Sequence, residues 1–344
     1  MPVAERDSAR ALLIVDDSVV ARTVMTRSIE MSGRFTVAGA VPDARAALRF
    51  LASNHVDGIL LDIEMPGVDG LTALPDLISA ANGARVLVVS SSAEEGAANT
   101  IQALALGAAD TLVKPGTGAL AGRFAIALQD KLARLFDDTG GEATDQPSDR
   151  SIADFDIVGI GASTGGIHAL GLLLRELPVS CIVPILITQH LPASFMPYFA
   201  AQIAVLAGRP CDVATDHMRI RPGRVVVAPG GAHMRCVAIG ESAAIRLTSE
   251  PSRSGCLPSV DPMFESMAAV YGDRALAVVL SGMGRDGSEG ARAIAEAGGG
   301  VIAQDKASSV IWGMPGAVVG DGLASAALPP DAIGRLIANR RRPA

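Results

Sequence analysis

The sequence predicts an α/β protein built as two parallel-sheet units joined by a polar linker. Short apolar, β-rich runs alternate with segments of helical periodicity through both halves of the chain, the pattern of a parallel sheet covered by helices. The 344 residues exceed what one core ordinarily serves, so two domains are expected. Hydrophobic residues make up 49% of the chain and aromatics 3%, and its 37 glycines suit many tight strand-to-helix turns.

In the N-terminal half the expected strands are 11–15, 35–40, 58–61, 86–89 and 111–113, and the expected helices 19–31, 44–53, 71–80, 97–106 and 120–136. In open sheets of this kind the working residues gather beyond the carboxyl ends of the strands. There the sequence places Asp16 and Asp17, Asp62, Ser90, and Lys114-Pro115. Crowded carboxylates repel one another unless a cation lies between them, and oxygen ligands favour Mg²⁺. A carboxylate beside Mg²⁺ and a lysine is suited to attack phosphorus, because both cations offset the incoming charge. One solvated acidic strand end would be commonplace, whereas this combination is poorly explained that way.

Asp16-Asp17, the run Leu61-Asp62-Ile63-Glu64-Met65-Pro66-Gly67-Val68-Asp69-Gly70, Ser90 and Lys114-Pro115 resemble a response-regulator receiver domain in order and spacing. The resemblance covers residues 9–136 and implies a five-stranded parallel, flavodoxin-like sheet. It implies Asp62 as phosphoacceptor and a Mg²⁺ site of Asp16, Asp17, Asp62 and Glu64, with Asp16 acting through water and Glu64 through its backbone carbonyl. Ser90 would be the hydrogen-bonding phosphate switch, and Lys114 would pair with the phosphoryl group.

Residues 137–153 are polar, acidic and rich in turn formers, and are expected to form a flexible linker. A second α/β domain is expected over 154–344, with strands at 156–161, 183–188, 225–228, 275–280 and 300–304. Helical patterns follow the first, second and fourth of these, and 226–247 reads as an antiparallel ribbon turning at Gly230-Gly231 and Gly240.

The stretch Ile157-Val158-Gly159-Ile160-Gly161-Ala162-Ser163-Thr164-Gly165-Gly166 lifts a serine to a strand-to-helix turn, where a nucleophile and its oxyanion donors could sit. Equally, Gly159-x-Gly161-x-x-Thr164-Gly165 nearly fits a phosphate loop. His190 and Asp286 also fall just beyond expected strand ends. A hydroxyl needs a base to take its proton, and a carboxylate on the other ring nitrogen fixes the imidazole. Spacing alone leaves alternatives open. His190 could be a packed histidine, His168 or His233 could be the base, and Asp286 could cap the helix from Ser288, while His55 and His217 lack supporting neighbours.

Ile160-Gly161-Ala162-Ser163-Thr164-Gly165-Gly166, Ile187-Thr188-Gln189-His190-Leu191-Pro192, Pro258-Ser259-Val260-Asp261, Ser281-Gly282-Met283-Gly284-Arg285-Asp286-Gly287 and Trp312-Gly313-Met314-Pro315 resemble the catalytic domain of chemotaxis protein-glutamate methylesterase/protein-glutamine glutaminases, the CheB family. That match runs over about 155–325 and implies a doubly wound α/β esterase domain. It implies Ser163 as nucleophile, His190 as base, Asp286 as orienting acid and the Met283 backbone N–H as oxyanion donor. It further implies a cytoplasmic enzyme that hydrolyses glutamyl methyl esters on chemoreceptor helices, needs no cofactor for that step, and in many members also deamidates glutamines. A histidine kinase would phosphorylate Asp62, and the unphosphorylated receiver would cover the active site. Leu257 stands where the family usually has a basic residue, a departure at the cleft rim.

Composition narrows the rest. A formal charge of −7 argues against a nucleic-acid output, and the single basic run, Arg340-Arg341-Arg342, reads as a solvated tail. No signal peptide or membrane-length apolar run is read in the sequence. The four cysteines lie far apart without a Cys-x-x-Cys, so spacing suggests neither a zinc cluster nor a disulfide framework. Two rival readings stand beside hydrolysis: a phosphorylation-controlled binding regulator without turnover, and a dinucleotide-dependent oxidoreductase. The second lacks the acidic residue that ribose binding requires about 20 positions after the glycine loop.

Overall fold

The computed structural model describes residues 9–90, 96–114, 121–136 and 154–339. The linker expected at 137–153, Pro115 and the basic run at 340–342 lie outside them. Backbone contacts divide the chain into two units, Met1–Asp137 and Asp138–Ala344.

The first unit alternates β1 (Arg10–Val15), α1 (Val19–Glu30), β2 (Phe35–Val41), α2 (Ala44–Leu51), β3 (Gly58–Asp62), α3 (Gly70–Ala80), β4 (Arg85–Ser90), α4 (Ala97–Leu106), β5 (Asp110–Val113) and α5 (Ala121–Phe136). All neighbours are parallel, in the order β2-β1-β3-β4-β5. The central strands are apolar on both faces because helices cover both. Ser18, Asp43 and Asp69 start α1, α2 and α3 by accepting from the backbone N–H of Ala21, Ala46 and Thr72. Since the order reverses about β1, the carboxyl ends of β1, β3, β4 and β5 open onto one crevice.

The second unit comprises β6 (Ile157–Ala162), α6 (Gly166–Arg175), β7 (Ile185–Gln189), α7 (Met196–Ala207), β8 (Cys211–Val213), β9 (Val225–Val227), β10 (His233–Ile239), β11 (Ser242–Thr248), α8 (Val260–Tyr271), β12 (Ala275–Val279), α9 (Ser288–Glu296), β13 (Gly300–Gln304), α10 (Met314–Gly320), β14 (Ala326–Leu328) and α11 (Pro330–Asn339). Seven parallel strands run β14-β13-β12-β6-β7-β9-β8. The chain builds outward from β6 to β7 on one side, then returns to β12 on the other. The crevice beyond β6 and β12 is therefore a topological switch point.

Two expectations need correction here. Val225–Val227 belongs to the parallel sheet, and the antiparallel hairpin begins only at His233, turning at Gly240 as expected. Helix α8 lies outside the expected helical segments; its Pro262 is tolerated because it lies in the helix's first turn, where backbone N–H groups have no intrahelical partner. Phe264 and Met267 of α8 are fully buried against Gly159 of β6, and Met263 is buried beside Thr188 of β7. Phe264→Ala should therefore lower the unfolding free energy of the second unit by about 3–5 kcal/mol. Urea denaturation of the full chain checks this, and a loss below about 1 kcal/mol would contradict the packing described.

Candidate functional site

The glycines of β6 have a packing cause. A Cβ at Gly159 would fall 2.5 Å from Met267 Sδ, and one at Gly161 would fall 2.5 Å from Val260 Cγ1. Both positions admit α8 against the strand, so the near-fit to a phosphate loop needs no ligand to explain it. Beyond β6 the chain turns through Gly165 at φ 77°, a left-handed conformation that a side chain would strain. Here Ser163 is pinned by its backbone: its N–H donates to Ser281 O at 3.0 Å, and the Gln189 side-chain amide donates to its carbonyl at 2.9 Å.

His190 follows β7, and its backbone N–H donates to Ala162 O at 3.1 Å, which sets it beside the residue preceding the serine. Its Nε2 lies 2.7 Å from Asp286 Oδ2. Asp286 reaches this point on the loop after β12, whose first residues also approach the serine: a Cβ at Gly282 would stand 2.8 Å from Ser163 Cβ. Met283 is the next residue, which puts its backbone beside the same turn. The fold thus brings the three crossings together, and the closed bond among them is His190–Asp286. No hydrogen bond links the Ser163 hydroxyl to His190 among the described residues, and the contact between nucleophile and base is one that has still to form.

Asp286 is 2% exposed and is held by three donors: His190, the Ser259 hydroxyl at 2.6 Å and the Val260 N–H at 2.8 Å. Val260 opens α8, so the carboxylate caps that helix and meets the positive end of its dipole. Ser259 occupies the cap position but turns its hydroxyl to Asp286 instead. The capping of α9 by Asp286 does not occur: α9 is preceded by Gly287 at φ 92° with no side-chain cap. Burial works against the charge on Asp286, yet the bonds from His190 and Ser259 prevail and hold its pKa near 2. Burial likewise opposes a charged His190, but Asp286, with Cys256 adding to it, pushes the ring pKa up to about 9.

The competing histidines are placed differently. The His233 ring is used on both sides, Nδ1 accepting from Ser259 N–H at 2.9 Å and Nε2 donating to Glu250 O at 2.8 Å. His168 lies in α6 outside the cluster that holds His190. Ser259 is the contributor that residue-by-residue reading missed, and its only sequence signal is the Pro258-Ser259-Val260-Asp261 run. Asp261 is likewise buried and accepts from Gly290 N–H at 2.8 Å, with burial raising its pKa to about 7.

In the first unit, carboxylate oxygens of Asp16, Asp17 and Asp62 all lie within 4.8 Å of one another. The Lys114 ammonium sits 2.6 Å from Asp62 Oδ2 and 2.9 Å from Asp16 Oδ2. Asp16 Oδ2 is buried and has the Lys114 ammonium as its charge partner, so the three carboxylates share one cation between them. Burial raises the pKa of Asp62 against the opposing pull of Lys114. Ser90 ends the neighbouring strand, buried, and its carbonyl accepts from Lys114 N–H at 2.7 Å. Glu64 donates its backbone N–H to Asp62 Oδ1 at 3.1 Å. Mg²⁺ fits this oxygen-rich donor set.

Among the described residues no helix is long and apolar enough to cross a membrane. Residues 158–337 match the CheB methylesterase family model, and residues 12–121 match that of the response regulator receiver domain. The chain is 42% identical over 343 residues to a Caulobacter vibrioides protein named protein-glutamate methylesterase/protein-glutamine glutaminase 2, covering 96% of this chain and 99% of the relative. A Paramagnetospirillum magneticum protein of the same name, numbered 1, is 40% identical over 362 residues, covering 95% of each. The crystal structure of the Thermotoga maritima CheB methylesterase catalytic domain superposes with a TM-score of 0.52 at 33% identity, covering 54% of this chain and 98% of that one.

By NMR the His190 ring should titrate near pH 9, and Asp286→Asn should lower that midpoint, because burial is then opposed by less. The same bond contributes stability that is full below pH 6.5 and fades as pH rises through about 9. A wild-type midpoint at the ordinary histidine value would contradict the pairing.

Proposed function

The chain belongs to the CheB methylesterase family, and from that premise we propose that Ser163, His190 and Asp286 are the catalytic triad of its esterase. The protein is a receiver-regulated protein-glutamate methylesterase and protein-glutamine glutaminase. The observation that carries the residue assignment is the 2.7 Å His190–Asp286 bond at the switch point, with Ser163 fixed beside it.

With Nε2–H directed at Asp286, the basic lone pair of neutral His190 lies on Nδ1. Ser163 Oγ attacks the ester carbonyl while Nδ1 takes its proton, and the anionic Asp286 stabilises the imidazolium that results. The Met283 backbone N–H receives the oxyanion. Collapse expels methanol, protonated by His190. Water, deprotonated by the same nitrogen, then attacks the acyl-serine and leaves a glutamate carboxylate. A glutamine side chain follows the same route with ammonia departing. Ser259 and the amino end of α8 act through Asp286, keeping it ionised and aimed.

In the receiver, Asp62 accepts the phosphoryl group, with Ser90 and Lys114 as its hydrogen-bonding and charge partners. Asp16, Asp17 and Asp62, with the Glu64 carbonyl, would hold Mg²⁺, which supplies charge neutralisation when bound. A chemotaxis histidine kinase is the phosphodonor, methylated receptor helices are the substrate, and the enzyme works in the cytoplasm.

Methanol release from methyl-labelled receptor membranes tests the assignment. Ser163→Ala should abolish release with the fold intact, whereas His168→Ala should keep most of it. Ser259→Ala should fall between them, losing roughly ten-fold or more in kcat as the carboxylate loses a charge-assisted bond. A dead His168→Ala beside an active His190→Ala would overturn the base assignment. In parallel, a small phosphodonor should stimulate the parent protein and leave Asp62→Asn at its unphosphorylated rate. Stimulation of Asp62→Asn would displace the phosphoacceptor.

A further inference from the structure

Cysteine spacing suggests no metal cluster in this chain, yet folding assembles a mixed one at the proposed esterase centre. Cys256 lies between β11 and α8. Its Sγ, a ring nitrogen of His190 and a carboxylate oxygen of Asp286 all fall within 4.8 Å of one another. The thiol is free and half-buried, and the His190 side chain is 17% exposed, so this face is open to a small ion. Asp286 is already ordered by Ser259 and the Val260 N–H, the kind of outer support that fixes a metal ligand.

Sulfur, imidazole nitrogen and carboxylate oxygen together are a donor set for Zn²⁺. Bond lengths of about 2.0–2.3 Å in a tetrahedral site separate neighbouring ligands by roughly 3.3–3.6 Å. The 2.7 Å His190–Asp286 contact would open by roughly half an ångström, and the separations to Cys256 Sγ, none above 4.8 Å, would close by up to roughly 1.2 Å. A hard cation such as Mg²⁺ has no such preference for the thiolate.

Resting on the triad assigned above, we propose that His190, Cys256 and Asp286 form a binding site for a thiophilic divalent cation, Zn²⁺ foremost, which reversibly switches the esterase off. Binding releases the thiol proton and any proton on the ligating ring nitrogen. Imidazole has two nitrogens. With metal on one and the remaining proton on the other, no lone pair is left to deprotonate Ser163. The inhibition follows from ligation itself and requires no rearrangement elsewhere. It also separates the metals by chemistry: Mg²⁺ serves the carboxylates of the receiver, and Zn²⁺ closes the esterase.

Metal-free full-length protein titrated with Co²⁺ tests the site without reference to turnover. A thiolate-to-Co²⁺ charge-transfer band should appear, persist in Ser163→Ala, and vanish in both Cys256→Ser and Cys256→Ala, with thermal unfolding confirming that each variant is folded. In the methanol assay, Zn²⁺ should inhibit the parent and a chelator should restore it, while Mg²⁺ has no such effect. Each variant is compared with its own metal-free rate, and Cys256→Ser should need about ten-fold or more Zn²⁺ for half-inhibition. A band that survives in the Cys256 variants, or equal Zn²⁺ sensitivity of parent and Cys256→Ser, overturns the proposal. A Cys256-dependent band in a parent without esterase activity would sink the triad reading and leave the metal site standing.

Discussion

The second unit depends on keeping one buried carboxylate charged. Asp286 is almost fully enclosed, and an isolated ion there would neutralise itself by taking up a proton. It stays ionised because the ring of His190, the hydroxyl of Ser259 and the first N–H of α8 all donate to it. That constraint propagates outward. Helix α8 has to begin where it does, Ser259 has to give up its own cap to face the carboxylate, and β6 has to carry glycines so that α8 can approach. His233 in turn holds Ser259 in place through its backbone N–H. Packing and chemistry are thus the same set of contacts.

The two units apply one topological rule to different chemistry. Both are parallel sheets whose order reverses, and both place reactive groups beyond the carboxyl ends of strands, where side chains from sequence-distant segments converge. In the first, carboxylates are crowded until a cation is needed, and Lys114 supplies part of that charge. In the second, a carboxylate and an imidazole satisfy each other, and the pairing with Asp286 favours the charged form of the His190 ring against the cost of its burial.

Much of this was legible in the sequence because it is periodic or local. Strands such as Gly58–Asp62 and Gly300–Gln304 announce themselves as apolar runs followed by turn formers, and the reactive residues sit immediately after such runs. Short edge strands did not: Cys211–Val213 and Ala326–Leu328 span three residues each and are only half-buried, so neither length nor alternation marks them. Helix α8 also lay outside the expected segments. The roles of Ser259 and Cys256 depend on which loops meet across the switch point, and no spacing along the chain encodes that. Asp286 does not cap the helix that follows it; it accepts from the first N–H of α8, a contact across the fold that no local spacing shows.

The central claim is that this serine is a nucleophile served by an imidazole held by a buried carboxylate. A fluorophosphonate probe, which reacts only with an activated hydroxyl, addresses it directly when the adduct is mapped by peptide mass spectrometry across a pH series. The account predicts a single adduct at Ser163, formed at a rate that climbs with pH toward about 9 and collapses in His190→Ala. Labelling at another residue, or a Ser163 adduct that forms equally fast without His190, would contradict it.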